Sequence, residues 1–266
     1  PKIVGGYNHF VALKANGEVW TWGTNDYGQL GVGDKVDKTK PTQVKAIYTL
    51  QDGTTKEEII TDAIDIAAGY YHTMILRKDG TVWTSGYNLY GQLGDGTNTD
   101  NTTFVQVKGV AGIGNLDNIV AITSEAHTGH ALAADGSIYS WGYNSNGQLG
   151  VNNTTHSSYP VKMQKVSNII QISAGEHHVS MLDADGSVWN VGYNEYGQFG
   201  INNKTSTSLP IQMQDTDGSI LYGVKEVAAG RYHNVVLKED GTVWTVGNNS
   251  GGALGDGTAN NKNVIT

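Results

Sequence analysis

The chain has no cysteine. Disulfides and thiolate metal centres are therefore excluded, and the redox compartment leaves no trace in the sequence. Proline is scarce, at four residues in 266, which excludes proline-rich linkers and collagen-like order. Positive charge is short: 17 Lys and Arg stand against 25 Asp and Glu, a net charge of −8. A binder of phosphate backbones carries a basic face, so nucleic acid is not an expected partner. No apolar run approaches the ~18 residues a membrane-spanning helix needs, so no membrane insertion is expected. No signal peptide is visible and Pro1 is not a natural start, so the chain reads as a mature form or an excised piece.

Glycine is abundant instead, with 36 residues, about twice the usual ~7%. Hydrophobic residues make up 38% and charged residues 16%, a globular balance. Thr, Asn, Val and Tyr are plentiful, and long Leu/Ala/Glu/Lys runs are absent. This mixture favours strands.

The sequence repeats. WGTNDYGQLG (22–31) recurs as SGYNLYGQLG (85–94), WGYNSNGQLG (141–150), VGYNEYGQFG (191–200) and VGNNSGGALG (246–255). Upstream of each lies NGEVW, DGTVW, DGSIY, DGSVW or DGTVW, with turn glycines at 17, 80, 136, 186 and 241. The unit is thus roughly 50 residues, a length typical of propeller and solenoid repeats. Leu13, Leu76, Leu132, Leu182 and Leu237 precede the turn glycine by four, and His9, His72, Thr128, His178 and His233 precede it by eight. Ten residues after the last glycine of a ten-mer stands Pro41, Phe104, Pro160 or Pro210.

Asn-Gly or Asp-Gly between short alternating runs is a hairpin signal, with positive φ expected at the turn's centre. A third run, such as IDIAAG, lies upstream, and its closing glycine is expected where blades converge. A fourth, such as PVKM, lies downstream, where an opening proline suits an edge strand. Four strands per repeat predict an all-β chain of four-stranded antiparallel propeller blades. The repeats cover approximately 1–45, 64–108, 120–164, 170–214 and 225–266 of one domain. The insertion at 46–63 carries its own Asp52-Gly53 turn, which predicts an added hairpin that shields an edge or extends a binding face.

The stretch AAGYYHTMILRKDGTVWTSGYNLYGQLGDG (67–96) resembles a regulator of chromosome condensation repeat, whose pattern runs A-G-x-x-H, A-L, D-G-x-V, W-G-x-N-x-x-G-Q-L-G. Five copies cover essentially the whole chain. The resemblance implies a propeller, usually of seven blades. Five repeats fit either part of a larger propeller or a closed five-bladed ring of the kind found in tachylectin-type sugar-binding propellers. A secreted bacterial β-lactamase inhibitor resembles the same family and binds its target with loops on a propeller face. The family's name-giver is an exchange factor for a small GTPase, and the acidic charge speaks against that role here.

Residues fixed in every repeat are expected to be scaffold. The ten-mer lacks the following helix and the lysine of a phosphate loop. Its Leu or Phe is expected to plug the core and its Gln to satisfy loop backbone groups. The repeated histidines are expected to bond to nearby backbone, since one per blade does not converge on a metal. The Asp residues sit in turns, with no paired carboxylates for glycoside hydrolysis and no complete calcium loop. Catalysis breaks repeat symmetry at one place, and no such place is visible, so a non-enzyme without cofactor or metal is expected.

The variable positions carry the functional expectation. Between A-G and the His position stand Tyr7-Asn8, Tyr70-Tyr71, Ala126-His127, Glu176-His177 and Arg231-Tyr232. Inside the ten-mer stand Asp26-Tyr27, Leu89-Tyr90, Ser145-Asn146, Glu195-Tyr196 and Ser250-Gly251. Tyr87, Tyr143 and Tyr193 add a third aromatic position. Variable loop residues on a rigid frame are where binding resides, and Tyr and Arg are common anchors. The expected partner-binding residues are Tyr7, Asn8, Asp26, Tyr27, Tyr70, Tyr71, Tyr90, His127, Glu176, His177, Glu195, Tyr196, Arg231 and Tyr232. The expected function is a non-catalytic bacterial interaction module, extracellular or at the cell surface, with a protein partner. A glycan is the alternative partner, with tyrosines stacking on sugars.

Overall fold

The computed structural model describes residues 1–50 and 52–266. Each repeat lays down its strands in chain order. β1 (Lys2–Gly5), β2 (His9–Leu13), β3 (Val19–Gly23) and β4 (Lys38–Gln43) form the first sheet. The inserted hairpin, β5 (Lys45–Thr49) and β6 (Thr55–Ile59), follows. Then come β7 (Ala63–Ala68), β8 (His72–Arg77), β9 (Val82–Gly86) and β10 (Asn101–Gln106). The third sheet is β11 (Ile119–Glu125), β12 (Thr128–Ala133), β13 (Ile138–Gly142) and β14 (Ser157–Lys162). The fourth is β15 (Ile169–Ala174), β16 (His178–Asp183), β17 (Val188–Gly192) and β18 (Thr207–Gln212). The fifth has β19 (Val224–Ala229), β20 (His233–Lys238) and β21 (Val243–Gly247). Its fourth position is begun by a Gly247–Lys262 bridge and by two backbone bonds of 2.9 Å between Thr245 and Thr266. One 3-10 turn, Val110–Gly112, is the helical element among the described residues.

The chain divides into two compact units. One comprises 1–134, 139–143 and 156–161; the other comprises 135–138, 144–155 and 162–266. In the first, alternate residues of neighbouring strands bury Val11, Ile66, Ile75 and Phe104 in one cluster and Met74, Ile122, Ala131 and Trp141 in the next. In the second, Leu182, Val188, Val227, Val236 and Val246 do the same. The ten-mer plugs Leu30, Leu93, Leu149 and Phe199 are fully buried, as expected. Truncating one such Leu to Ala costs ~2–5 kcal/mol.

The hairpin turns differ from expectation in one respect. Only the glycine takes positive φ (84° at Gly17, 81° at Gly80), and no Asn or Asp before it does. Lys14 N–H bonds to Glu18 O at 2.9 Å and Gly17 N–H to Lys14 O at 3.0 Å, which closes a turn one residue longer than the two-residue type. The acidic residue is there for its side chain: Asp79 accepts from Thr81 N–H (3.0 Å) and Thr81 Oγ1 (2.7 Å). Asx side chains mimic a backbone turn in this way.

The insertion is a hairpin, as its Asp52-Gly53 turn predicts, and it covers an edge. β5 runs parallel to β10 through Phe104 and Ala46, extending the second sheet to six strands. Arg77 anchors it through Glu58 (2.7 Å) and Asp62 (2.8 Å). Phe104 stands where three other outer strands carry Pro41, Pro160 and Pro210. Val107 N–H pairs inward with Val82 O, so by alternation the N–H of Phe104 faces the outer edge.

Candidate functional site

The ten-mer is built around its asparagine. Oδ1 of Asn25, Asn88, Asn144, Asn194 and Asn249 accepts the N–H of the core-plugging residue five positions on, at 2.8–3.0 Å. Nδ2 donates to carbonyls nine and eleven residues on; for Asn88 these are Thr97 O (3.1 Å) and Thr99 O (3.0 Å). The glutamine does what the sequence implies and less than the asparagine. Oε1 of Gln29, Gln92, Gln148 and Gln198 accepts the N–H two residues earlier, at 2.9–3.2 Å. That donor belongs to Tyr27, Tyr90, Asn146 or Tyr196, so the scaffold amide fixes the backbone of the variable position.

The next repeat then claims the glutamine's backbone carbonyl. Thr73 Oγ1 donates to Gln29 O (2.7 Å), Trp141 Nε1 to Gln92 O (2.9 Å) and Asn234 Nδ2 to Gln198 O (2.9 Å). Gly91, at φ 80°, lies so close to the following outer strand that a Cβ would come 2.4 Å from Ser158 Cα. This tight docking brings the variable residues of one ten-mer against those of the repeat after it.

In the first unit they form a connected aromatic surface. Tyr27 packs on Tyr71 (5.3 Å between ring centroids) and Tyr87 (4.7 Å). Tyr7 meets Tyr70 (5.6 Å) and Tyr71 (5.7 Å). Tyr90 meets His127 (5.2 Å) and Tyr143 (5.1 Å), and Tyr143 stacks on His156 (4.9 Å). The tyrosines from 27 to 143 are half-buried, and Tyr7 is 62% exposed. They pack between repeats and also show ring surface to solvent. Burial pushes the phenols of Tyr71 and Tyr87 up, so both remain hydrogen-bond donors at neutral pH.

The second unit repeats the arrangement. Tyr196 lies 5.0 Å from Tyr232 and Tyr193 lies 5.8 Å from Tyr232. Arg231 sits over the Tyr232 ring at 5.1 Å and grips the buried Glu176 with two bonds, 2.5 and 3.1 Å. Glu195 accepts from Tyr193 Oη at 3.1 Å; burial first, and this bond second, push that phenol up to about 12. His177 lies 6.4 Å from Tyr193, half-buried, with its imidazole pushed down by burial. Asn8 and Asp26 are exposed beside the aromatic surface and contribute no ring contact.

The repeated histidines are scaffold, through a route different from the expected backbone bond. His9 Nε2 meets Thr73 Oγ1, His72 Nε2 meets Ser124 Oγ and His178 Nε2 meets Asn234 Oδ1, each at 3.0 Å and each on the following repeat. Thr73 and Ser124 spend their own protons on Gln29 O and Thr128 O, so Nε2 is the donor in all three. Nδ1 is then bare, and it sits against the A-G glycine: a Cβ on Gly6, Gly69 or Gly175 would lie 2.1–2.2 Å from the ring's Cε1. The same Cβ would lie 2.4–2.7 Å from a carbonyl of the next repeat, which is the expected convergence. Burial pushes His9 and His178 down to about 4 and His72 to about 3. Among the described residues no group of three or more His, Asp or Glu is placed to hold a metal ion.

Tyr87, Tyr143 and Tyr193 belong to this surface as fully as the expected residues, and their recurrence one residue before the ten-mer's asparagine was the signal. His156 carries no such signal, because it lies in a loop whose sequence varies between repeats. Phe10, 48% exposed and stacked on Trp22 at 5.6 Å, borders Tyr7 and also lay outside the repeat argument.

Repeated antiparallel sheets with loop-borne aromatics define a repeat propeller. The RCC1-like domain profile matches residues 49–266, and the regulator of chromosome condensation (RCC1) repeat matches 16–76 and 2–29. The chain belongs to this family. It is 32% identical over 158 residues to the X-linked retinitis pigmentosa GTPase regulator of Canis lupus familiaris, covering 59% of this chain and 14% of that protein. It is 30% identical over 162 residues to the ultraviolet-B receptor UVR8 of Arabidopsis thaliana, covering 61% and 33%. The chain thus spans a third or less of these curated relatives. Human WBSCR16 superposes with a TM-score of 0.78 at 23% identity, covering all of this chain and 66% of that one. Yeast RCC1 (Prp20), solved with Kap60 bound, gives 0.66 at 21% identity, covering 99% and 74%.

Proposed function

We propose that the chain is a non-catalytic interaction module whose tyrosine-lined loops bind a protein partner. The supporting observation is the connected ring surface from Tyr7 to His156, held by invariant amides and left partly open to solvent. Tyrosine offers large contact area at low entropic cost, and its hydroxyl finds partners at a polar rim. Tyr71 and Tyr90 are the central anchors, with Asp26 and Asn8 on the rim. Arg231, Glu176, Glu195 and Tyr232 form the corresponding patch of the second unit. The five repeats act as one domain in this reading. The cysteine-free, Asn-, Thr- and Gly-rich composition supports an extracellular or cell-surface bacterial protein, although the relatives above are eukaryotic. Affinity capture with the wild type and with Tyr71→Ala/Tyr90→Ala tests the reading. Retention of the same partner by both proteins would sink it.

A second reading, a nucleotide exchange factor for a small GTPase, draws on the relative named as a GTPase regulator. Acceleration of nucleotide release from a small GTPase by the purified chain is its test.

A further inference from the structure

The inserted hairpin breaks the repeat symmetry, and it borders a cleft. β5 pairs with β10 through a single parallel bridge, Ala46 with Phe104. A gap lies beside that bridge. The gap has a volume of about 420 Å³, lined by Tyr48, Trp83, Asp95, Gln106, Lys108 and Asn115, with Ile47 and Val105 on its apolar sides.

Its floor is fixed. Trp83 is buried, its Nε1 donates to Thr81 Oγ1 (3.0 Å), Tyr48 meets its ring at 6.2 Å edge-on, and Arg77 lies over it at 5.5 Å. Tyr48 Oη is turned away to Glu58 (3.3 Å). The walls hold unspent polar capacity. Asp95 uses Oδ1 for Asn88 and Thr97, and its Oδ2 bonds to no other described residue. Gln106 is half-buried and Lys108 and Asn115 are exposed at the rim; none of their side chains bonds to another described residue.

We infer that this cleft binds a small polyhydroxylated ligand, of one or two sugar rings. The cleft offers an acceptor-only carboxylate, a donor-only ammonium and two amides that do both. A free phosphate would face Asp95, a lone cation would face Lys108, and an apolar ligand would leave four polar groups desolvated. An array of hydroxyls, each donor and acceptor, satisfies all four, while its C–H face lies along Tyr48, Ile47 and Val105. The volume lies within the range of small-ligand sites, ~300–1,000 Å³. The inference is independent of the partner reading, since the cleft shares no residue with the tyrosine surface.

A glycan array probed with the wild type, with Gln106→Ala/Asn115→Ala and with Tyr71→Ala tests it, followed by calorimetric titration of each sugar retained. The expected result is binding of a defined set of saccharides by the wild type and by Tyr71→Ala. The double variant, at unchanged Tm, should lose at least tenfold in affinity. Silence across the array, equal binding by the double variant, or loss in Tyr71→Ala would each overturn the inference.

Discussion

Asn88 Oδ1 accepts the backbone N–H of Leu93 at 2.9 Å, while Asn88 Nδ2 holds the carbonyls of Thr97 and Thr99. One side chain thus ties a buried core plug to the outer half of its loop. Asn88→Ala strands the buried N–H of Leu93, at ~1–3 kcal/mol for an unmade buried bond, and releases the carbonyls of the exposed Thr97 and Thr99, at ~0.5 kcal/mol each. The expected loss is ~2–4 kcal/mol in urea unfolding. Gln92→Ala removes a bond to Tyr90 N–H (2.9 Å) and a longer one to His127 Nδ1 (3.4 Å), and should cost ~1–2 kcal/mol; the fifth repeat already carries Ala253 at that position.

The buried histidines set a pH dependence. His9 and His178 titrate at about 4, and His72 and His130 at about 3, because burial disfavours the imidazolium. An unfolded histidine titrates near ~6.5. Below that pH the unfolded chain binds protons that the folded chain refuses, so stability is full above ~6.5 and falls as pH drops towards 4. Each histidine contributes up to ~1.4 kcal/mol per pH unit in that window. Melting between pH 7 and 5 should show a steep fall. His9→Gln/His178→Gln keeps an amide donor for Thr73 and Asn234 and should roughly halve the slope. An unchanged slope would count against these four residues as the cause.

Gly91 and Gly252 occupy the same ten-mer position with φ 80° and 76°. A Cβ on Gly91 meets Ser158 Cα at 2.4 Å, whereas one on Gly252 meets nothing closer than Thr258 O at 3.9 Å. Gly252→Ala should cost only the left-handed backbone penalty, ~1–2 kcal/mol. Gly91→Ala adds a backbone clash and should lower the chain's Tm well beyond that. Equal shifts would mean that the following strand yields to the methyl group.

Tyr71 contacts five other rings: Tyr7, Tyr27, Tyr70, Tyr87 and His127. Replacing a central aromatic anchor costs ~2 kcal/mol or more in binding, or about 30-fold in Kd. Tyr71→Ala should weaken partner capture by that factor. Asp26→Ala, at an exposed rim position, should change it less than threefold. Surface plasmon resonance on the captured partner reads both.

Strand order, the core plugs and the added hairpin were legible because glycine turns and period-two alternation are local. What was not legible runs across repeats. The partners of His9, His72 and His178 lie 52–64 residues on, a separation that repeat spacing hides among equivalent positions. The asparagine's role went unseen because its carbonyl partners belong to a loop of changing sequence, whose backbone is recognised without regard to side chain. The parallel contact of β5 with β10 is a single bridge and leaves no periodic mark. The aromatic positions were readable as classes, and their meeting between repeats needed coordinates.

The proline positions and the inserted hairpin solve one problem in two ways. An outer strand with a free N–H row is a template on which a second molecule can grow a sheet. Pro41, Pro160 and Pro210 delete an outward donor from three such rows. The second sheet keeps its donor at Phe104 and hides it under β5. Removing the hairpin would therefore leave a folded sheet with one sticky margin. The same positions that punctuate the repeat also set how many unpaired donors an outer strand can offer to a second molecule.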